Sequence, residues 1–115
     1  MDAASLTNDE LIDQVATWAA RVARGEAQLL ALIAELDARE AWAGHGVASC
    51  AHWLSFRLGW SPTTARERVR VAKTLIGLPL VQEAFAAGRV TYSQVRAITR
   101  AATPESQESW LALAR

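Results

Sequence analysis

The stretch that decides the fold is LSFRLGWSPTTARERVRVAKTL, residues 54–75. Gly59 interrupts it, and Ser61 followed by Pro62 is a preferred pair for the cap and first position of a helix. The pattern therefore predicts one helix that ends at Gly59 and a second over about 62–76. A tight turn that carries glycine between two helices is typical of a helix-turn-helix.

The second helix of this pair separates apolar from basic residues. Its apolar positions recur at helical spacing and are expected to face the core: Ala65, Val69 and Ala72. The opposite face, with one residue of the preceding helix, supplies the candidate nucleic-acid contacts: Arg57, Thr63, Arg66, Arg70 and Lys73. Arginine donates two hydrogen bonds at once to phosphates or guanine edges, and a helix start offers free N–H groups. The alternative is a solvated face on which Glu67 pairs locally.

Composition points to one all-α domain. Of 115 residues, 51% are hydrophobic and only three are proline and six glycine, which favours helix. No segment alternates with a period of two, no apolar run reaches transmembrane length, and the acidic N-terminus does not resemble a signal peptide. The lone Cys50 fits a reducing compartment, so we expect a cytoplasmic location.

A long N-terminal helix is predicted over about 8–41, because Thr7 and Glu10 form a capping box. Apolar residues then recur at alternating spacings of four and three, which we call the seam: Leu11, Val15, Trp18, Val22, Gly25, Leu29, Leu32 and Leu36. A second apolar stripe lies beside it: Ile12, Ala16, Ala19, Ala23, Leu30 and Ile33. The seam continues in register across Gly25, so one unbroken helix is expected. It serves either as the spine of its own domain or as a dimerisation helix.

Shorter helices are predicted after this one, over about 47–58, 80–87 and 92–102, with a last one from Thr103 and Pro104. The apolar face of the 47–58 helix is predicted to be Val47, Cys50, Ala51, Leu54 and Leu58. We divide the chain into a helix-bearing segment, 1–45, and a helix-turn-helix-like segment, 46–115. Because the last helix is still running at Arg115, a longer parent protein is expected.

Charge is unevenly spread although the net charge is zero. Residues 1–50 hold three arginines against eight acidic residues, and residues 51–115 hold nine basic residues against four acidic ones. An acidic half followed by a basic half suggests an anionic partner for the basic half.

Catalytic and metal-binding patterns are weak. His45, Cys50 and His52 could supply three ligands, but structural zinc takes four, so no metal or cofactor is expected. No catalytic triad, phosphate-binding glycine loop or paired-carboxylate site is visible. Among the five tryptophans, Trp18, Trp53 and Trp110 are expected in the core and Trp60 is expected to be exposed.

Four segments carry a family resemblance: CAHWLS (50–55), ARERVRVAKTL (65–75), LP (78–79) and AFAAGRVTYSQVRAITRAATPE (84–105). Over about residues 40–115 the chain resembles domain of unknown function family 222. This is the N-terminal domain of actinobacterial proteins that often carry a C-terminal HNH endonuclease module. The resemblance implies an all-helical domain with a nucleic-acid role. The HNH module itself is not in this segment, so no catalysis is expected here.

The leading functional prediction is DNA binding by a nuclease-linked domain, with no small-molecule substrate. The alternative is a protein-interaction or dimerisation module that uses the seam and binds no nucleic acid.

Overall fold

The computed structural model describes residues 2–114, and within that range the protein is all-α, as predicted. A short 3-10 helix over Ala3–Ser5 precedes six α-helices: α1 Asn8–Ala38, α2 Cys50–Leu58, α3 Pro62–Ile76, α4 Pro79–Ala86, α5 Tyr92–Ile98 and α6 Gln107–Ala114. No strand occurs among residues 2–114. The prediction that the last helix continues at Arg115 lies outside the described residues.

Helix α1 begins with the predicted capping box. The Thr7 hydroxyl accepts from the Glu10 amide at 3.2 Å, and the Glu10 carboxylate accepts from the Thr7 amide at 2.8 Å. The helix continues for 31 residues through Gly25 without interruption, which confirms the single long helix. It ends at Ala38, three residues before the predicted boundary, because residues 39–44 form turns.

The seam is not the main face that α1 packs on the core, since only Leu29 and Leu36 of the seam pack against it, partly buried. The residues of α1 that are buried are Ala23, Ala27, Leu30 and Ile33. Four seam residues remain more than half exposed: Val15 at 68%, Trp18 at 53%, Val22 at 55% and Leu32 at 58%. The expectation of a core position for Trp18 was therefore wrong, and the second stripe supplies three of the four core residues. Residues 8–22 include no buried position.

The turn between α2 and α3 forms as the sequence predicts. Gly59 adopts the left-handed conformation at φ +75°, which glycine reaches without steric cost. The Ser61 hydroxyl then accepts from the Thr64 amide at 3.1 Å and caps α3. Helix α2 begins at Cys50 rather than 47, because Ser49 caps it. Two expectations were wrong here: Leu58 is 45% exposed, and Trp60 is half-buried against the core.

Helix α4 has the predicted length, whereas α5 ends earlier and α6 begins later than predicted. Helix α5 ends at Ile98 instead of 102, and α6 begins at Gln107 instead of the Thr103–Pro104 step. Gln107 is buried, and its side-chain oxygen accepts from the amides of Leu80 and Val81 at 2.8 and 3.2 Å. Residue Leu78 offers no side-chain cap to α4, so this glutamine of α6 satisfies the free N–H groups at the start of α4.

All six helices contribute to one core. Its largest fully buried side chains are Phe85, Leu30, Leu54, Val71, Val81 and Val95. The second half of α1 shares this core, so it packs directly with helices of the segment that follows residue 45. The turn after α4 approaches α1 closely at Gly88, where an added Cβ would lie 2.8 Å from the Ala20 carbonyl oxygen.

The molecule is longer than a compact domain of its size. The Cα radius of gyration is 16.3 Å, whereas about 13 Å is expected for a compact chain of this length. The first half of α1 accounts for this, because it extends past the helices that cover the second half.

Candidate nucleic-acid interface

The predicted site residues on the first turns of α3 are exposed. Thr63 and Arg66 both face solvent, and an Arg66 guanidinium nitrogen lies 3.4 Å from the Thr63 hydroxyl. Among the described residues Arg66 forms no ion pair. Arg57, near the end of α2, is exposed as well. These three side chains are therefore open to a partner.

Arg70 belongs to a larger group that joins α3 to α5, which we call the arginine cluster: Arg70, Arg96 and Arg100 around Glu67. Arg70 donates from Nε to Glu67 on its own helix. Arg96 and Arg100 reach the other oxygen of the same carboxylate, at 3.1 and 2.5 Å. Three guanidinium groups therefore surround one carboxylate, which leaves the cluster with two positive charges in excess.

Hydrogen bonds hold the cluster in place. Arg70 also donates to the Arg96 carbonyl at 3.4 Å and to the Thr99 hydroxyl at 3.3 Å, which fixes it against α5. Arg96 and Arg100 keep 50% and 57% of their side chains exposed. The cluster is thus positioned by Glu67 while two of its arginines remain accessible.

The arginines control the ionisation of Glu67. The hydrogen bond from Arg70 is the main cause that lowers the pKa of Glu67 below its ordinary value of 4.5, and Arg96 and Arg100 add to it. A lowered pKa in the folded state stabilises the fold above that ordinary value. The contribution is lost as the pH falls through the lowered pKa, because the protonated acid no longer holds the arginines.

Arg96 and Arg100 were not predicted as site residues. Their i, i+4 spacing places them on one side of α5 and its C-terminal turn, and that spacing is a visible signal in the sequence. What the sequence does not reveal is that α5 packs beside α3, which brings both side chains to Glu67. Local pairing of Glu67 with Arg70, the alternative for this acid, does occur.

Part of the charge asymmetry is neutralised inside the molecule. Lys73, a predicted contact, lies 3.4 Å from Asp37 of α1, with 61% of its side chain exposed. Arg68, which was not predicted as a contact, pairs with Glu26 of α1 at 2.7 Å. Its guanidinium carbon also lies 3.6 Å from the centroid of the Tyr92 ring. Lys73 and Arg68 therefore hold α1 on α3.

Two concave regions lie near these helices. A small groove of about 220 Å³ runs beside Arg66, and its lining is Ser49, Ala51, His52, Ser55, Pro62 and Arg66. A larger cleft of about 580 Å³ lies between α1, α3 and α4, and its lining is mostly apolar. The groove places the imidazole of His52 near Arg66, and so extends the polar surface towards α2.

No metal-binding group of three or more His, Cys, Asp or Glu side chains occurs within residues 2–114. Cys50 is buried on the core face of α2, as predicted. Burial raises the pKa of its thiol to about 11, so the thiol stays protonated and poorly reactive at neutral pH. Within residues 2–114, no helix combines the length and apolar character that a bilayer crossing requires.

These features define an all-helical domain with an exposed arginine cluster. The family model described as "Domain of unknown function (DUF222)" matches residues 12–114, nearly the whole chain. The chain therefore belongs to this family, in agreement with the resemblance found in its sequence. Neither a protein with a curated description nor a solved structure gives a significant match.

Proposed function

We propose that this domain binds nucleic acid, and DNA in particular, through the surface formed by α3 and α5. The observation that carries the proposal is the arginine cluster, in which three guanidinium groups share the single carboxylate of Glu67. Positive charges held close together repel one another, and DNA phosphates relieve that repulsion while releasing their own counterions.

Arg66 adds a second kind of contact to this surface. It lies one helical turn before Arg70 on α3, and no acidic side chain within residues 2–114 pairs with it. We therefore assign base edges to Arg66 and phosphates to Arg96 and Arg100, whose positions are already fixed by Glu67. Thr63 contributes at the start of α3, where backbone N–H groups favour a phosphate. Arg57 and Lys73 flank the surface and contribute less.

The α2–turn–α3 unit supports a helix-turn-helix mode of binding, with α3 presented to the DNA. In the proteins that this chain resembles, an HNH nuclease module often follows, and a DNA-binding domain would hold the substrate for it. The segment itself is proposed to bind and not to catalyse. It would then act on DNA in the cytoplasm.

Fluorescence anisotropy with a mixed-sequence duplex, over a series of salt concentrations, tests this function. Binding should weaken steeply with salt, with a slope of about −0.9 for each phosphate contacted. Arg96→Ala and Arg100→Ala should each reduce the slope by about one, and Arg66→Ala should cost about 1–3 kcal/mol if it contacts a base edge. Arg89→Ala is the matched control, because Arg89 is an exposed arginine outside the surface.

Glu67→Gln should change the affinity for DNA in the opposite direction to the arginine variants. It removes the one negative charge from the cluster and keeps one side-chain oxygen that can accept from the arginines, so affinity for DNA should rise at low salt. A folded protein that shows no binding at low salt contradicts the proposal. So does a set of variants that all bind like Arg89→Ala.

A second candidate function is protein interaction. The exposed seam residues Val15, Trp18 and Val22 favour it, because large apolar patches on a protein surface usually mark contacts with partners. This function does not compete for the same surface, since the seam and the arginine cluster lie on different helices.

A further inference from the structure

The first half of α1, residues 8–22, is a helical arm that the other helices leave largely uncovered; the turn at Gly88 approaches it only at the Ala20 backbone. The arm includes no buried residue, whereas the second half of the same helix provides four. Fifteen residues of helix span about 22 Å. The arm is therefore long enough to form a helix–helix contact of its own.

One side of the arm is apolar. Ile12, Val15, Trp18 and Val22 are 53–68% exposed, and they follow one another at spacings of three and four residues. Arg21 lies over the Trp18 ring, with its guanidinium carbon 4.7 Å from the ring centroid. A stripe of this kind matches the knobs that two paired helices insert between each other.

Charges beside the stripe indicate what covers it. Glu10 and Arg21 are eleven residues apart, close to three full helical turns, so they lie on the same flank of the stripe. In a parallel pair of arms this flank would face the opposite flank of the partner arm, so Glu10 and Arg21 would not meet across the contact. In an antiparallel pair each Glu10 faces an Arg21. The arm is thus electrostatically complementary to a reversed copy of itself.

We propose that the arm pairs with the arm of a second copy of this chain in antiparallel orientation. The two-fold axis passes between Val15 and Trp18, so that Val15 of one copy packs on Trp18 of the other. Leu11 then packs on Val22 at each end of the contact. A helix contact only about 22 Å long is small for a stable interface, so weak association is expected.

Sedimentation equilibrium of the whole chain at micromolar concentrations tests the association. The protein should show twice the 12.5-kDa monomer mass. Val15→Lys combined with Trp18→Lys should return it to the monomer and keep its helical circular dichroism, because neither side chain is in the core. Phe56→Lys is the matched control: Phe56 is 80% exposed, lies on α2, and should leave the dimer intact.

Engineered cysteines test the orientation. In the antiparallel pair, the two copies of residue 22 are separated by about 16 Å along the helices, too far for a disulfide. Val22→Cys alone and Leu11→Cys alone should therefore not cross-link under mild oxidation, whereas the double variant should give a covalent dimer. The native Cys50 is buried and does not interfere.

Two results would overturn the proposal. One is a monomer at all concentrations together with no cross-link in the double variant, which would assign the arm to another partner. The other is efficient cross-linking of either single variant, which indicates parallel arms. The Val15→Lys, Trp18→Lys protein should still bind DNA, because a monomer retains its arginine cluster. A failure of dimerisation can therefore be told apart from a failure of nucleic-acid binding.

Discussion

The two halves of α1 share one helix and a similar apolar content, yet only one of them belongs to the core. In residues 23–38 the helix places Ala23, Ala27, Leu30 and Ile33 against α3, α4 and α5. In residues 8–22 no side chain is buried, and Ile12, Val15, Trp18 and Val22 stay more than half exposed. Apolar periodicity therefore shows which side of a helix can be buried, but not how much of its length is covered.

The acidic residues of α1 also differ between its two halves. In the second half Glu26 pairs with Arg68, and Asp37 pairs with Lys73, both on α3. In the first half Asp9 and Asp13 form no ion pair within residues 2–114. The second half is thus held by packing and by ion pairs, whereas the first half has no buried side chain and is approached only near Ala20.

The largest expected effect comes from removing a core side chain of α1. Leu30 is fully buried, so Leu30→Ala should lower the free energy of unfolding by about 3–4 kcal/mol through lost burial and a cavity. Val15→Ala on the arm should change it by less than about 0.5 kcal/mol when the protein is dilute enough to be monomeric. Urea denaturation followed by circular dichroism measures both. Equal losses for the two variants would contradict the division of the helix.

Substitutions of two glycines in or near α1 should change the free energy of unfolding by smaller amounts and in opposite directions. Gly88 combines φ +78° with a close approach to the Ala20 carbonyl oxygen, so Gly88→Ala should cost about 2–3 kcal/mol. Gly25 lies within α1 with open space around its Cα, so Gly25→Ala should raise stability by about 0.5–1 kcal/mol. The midpoint of thermal unfolding should shift in opposite directions. A loss at Gly25 would mean that a neighbour approaches α1 there.

The parts of the fold that could be predicted are those fixed by residues close together in the sequence. The capping box of Thr7 and the Ser61–Pro62 pair each fix a helix start through local hydrogen bonds, and both starts were right. The end of α5 and the start of α6 were misplaced because no strong cap marks them. The buried Gln107 stabilises α4 from a distance of 27 residues in the chain, which no local pattern indicates.

The candidate site could be predicted only in part, for the same reason. Arg66 and Arg70 were found because they follow one another on a single amphipathic helix. Arg96 and Arg100 join Arg70 only through the packing of α5 on α3, and Glu67 links them. The predicted free cation Lys73 meets Asp37 because α1 folds back over α3. Contacts between distant helices thus decide which arginines form a surface.

The smallest loss of stability is expected when acidic residues of the two halves of α1 are neutralised. Glu26 and Arg68 keep only 26% and 19% of their side chains exposed, so Glu26→Gln leaves a poorly solvated guanidinium without its charged partner. We expect a loss of about 1–2 kcal/mol in the free energy of unfolding, within the range for hydrogen bonds to charged groups. Asp13→Asn, on the exposed arm, should change it by less than about 0.5 kcal/mol.

The stability loss of Glu26→Gln can also be measured at high salt. Exposed charges are screened at high ionic strength, whereas a pair that is largely withdrawn from water is screened much less. The difference between Glu26→Gln and the unaltered protein should therefore persist in high salt when urea denaturation is repeated there. If the difference disappeared, the Glu26–Arg68 pair would behave as a surface ion pair. Packing of Leu30 and its neighbours would then be what holds the second half of α1 in place.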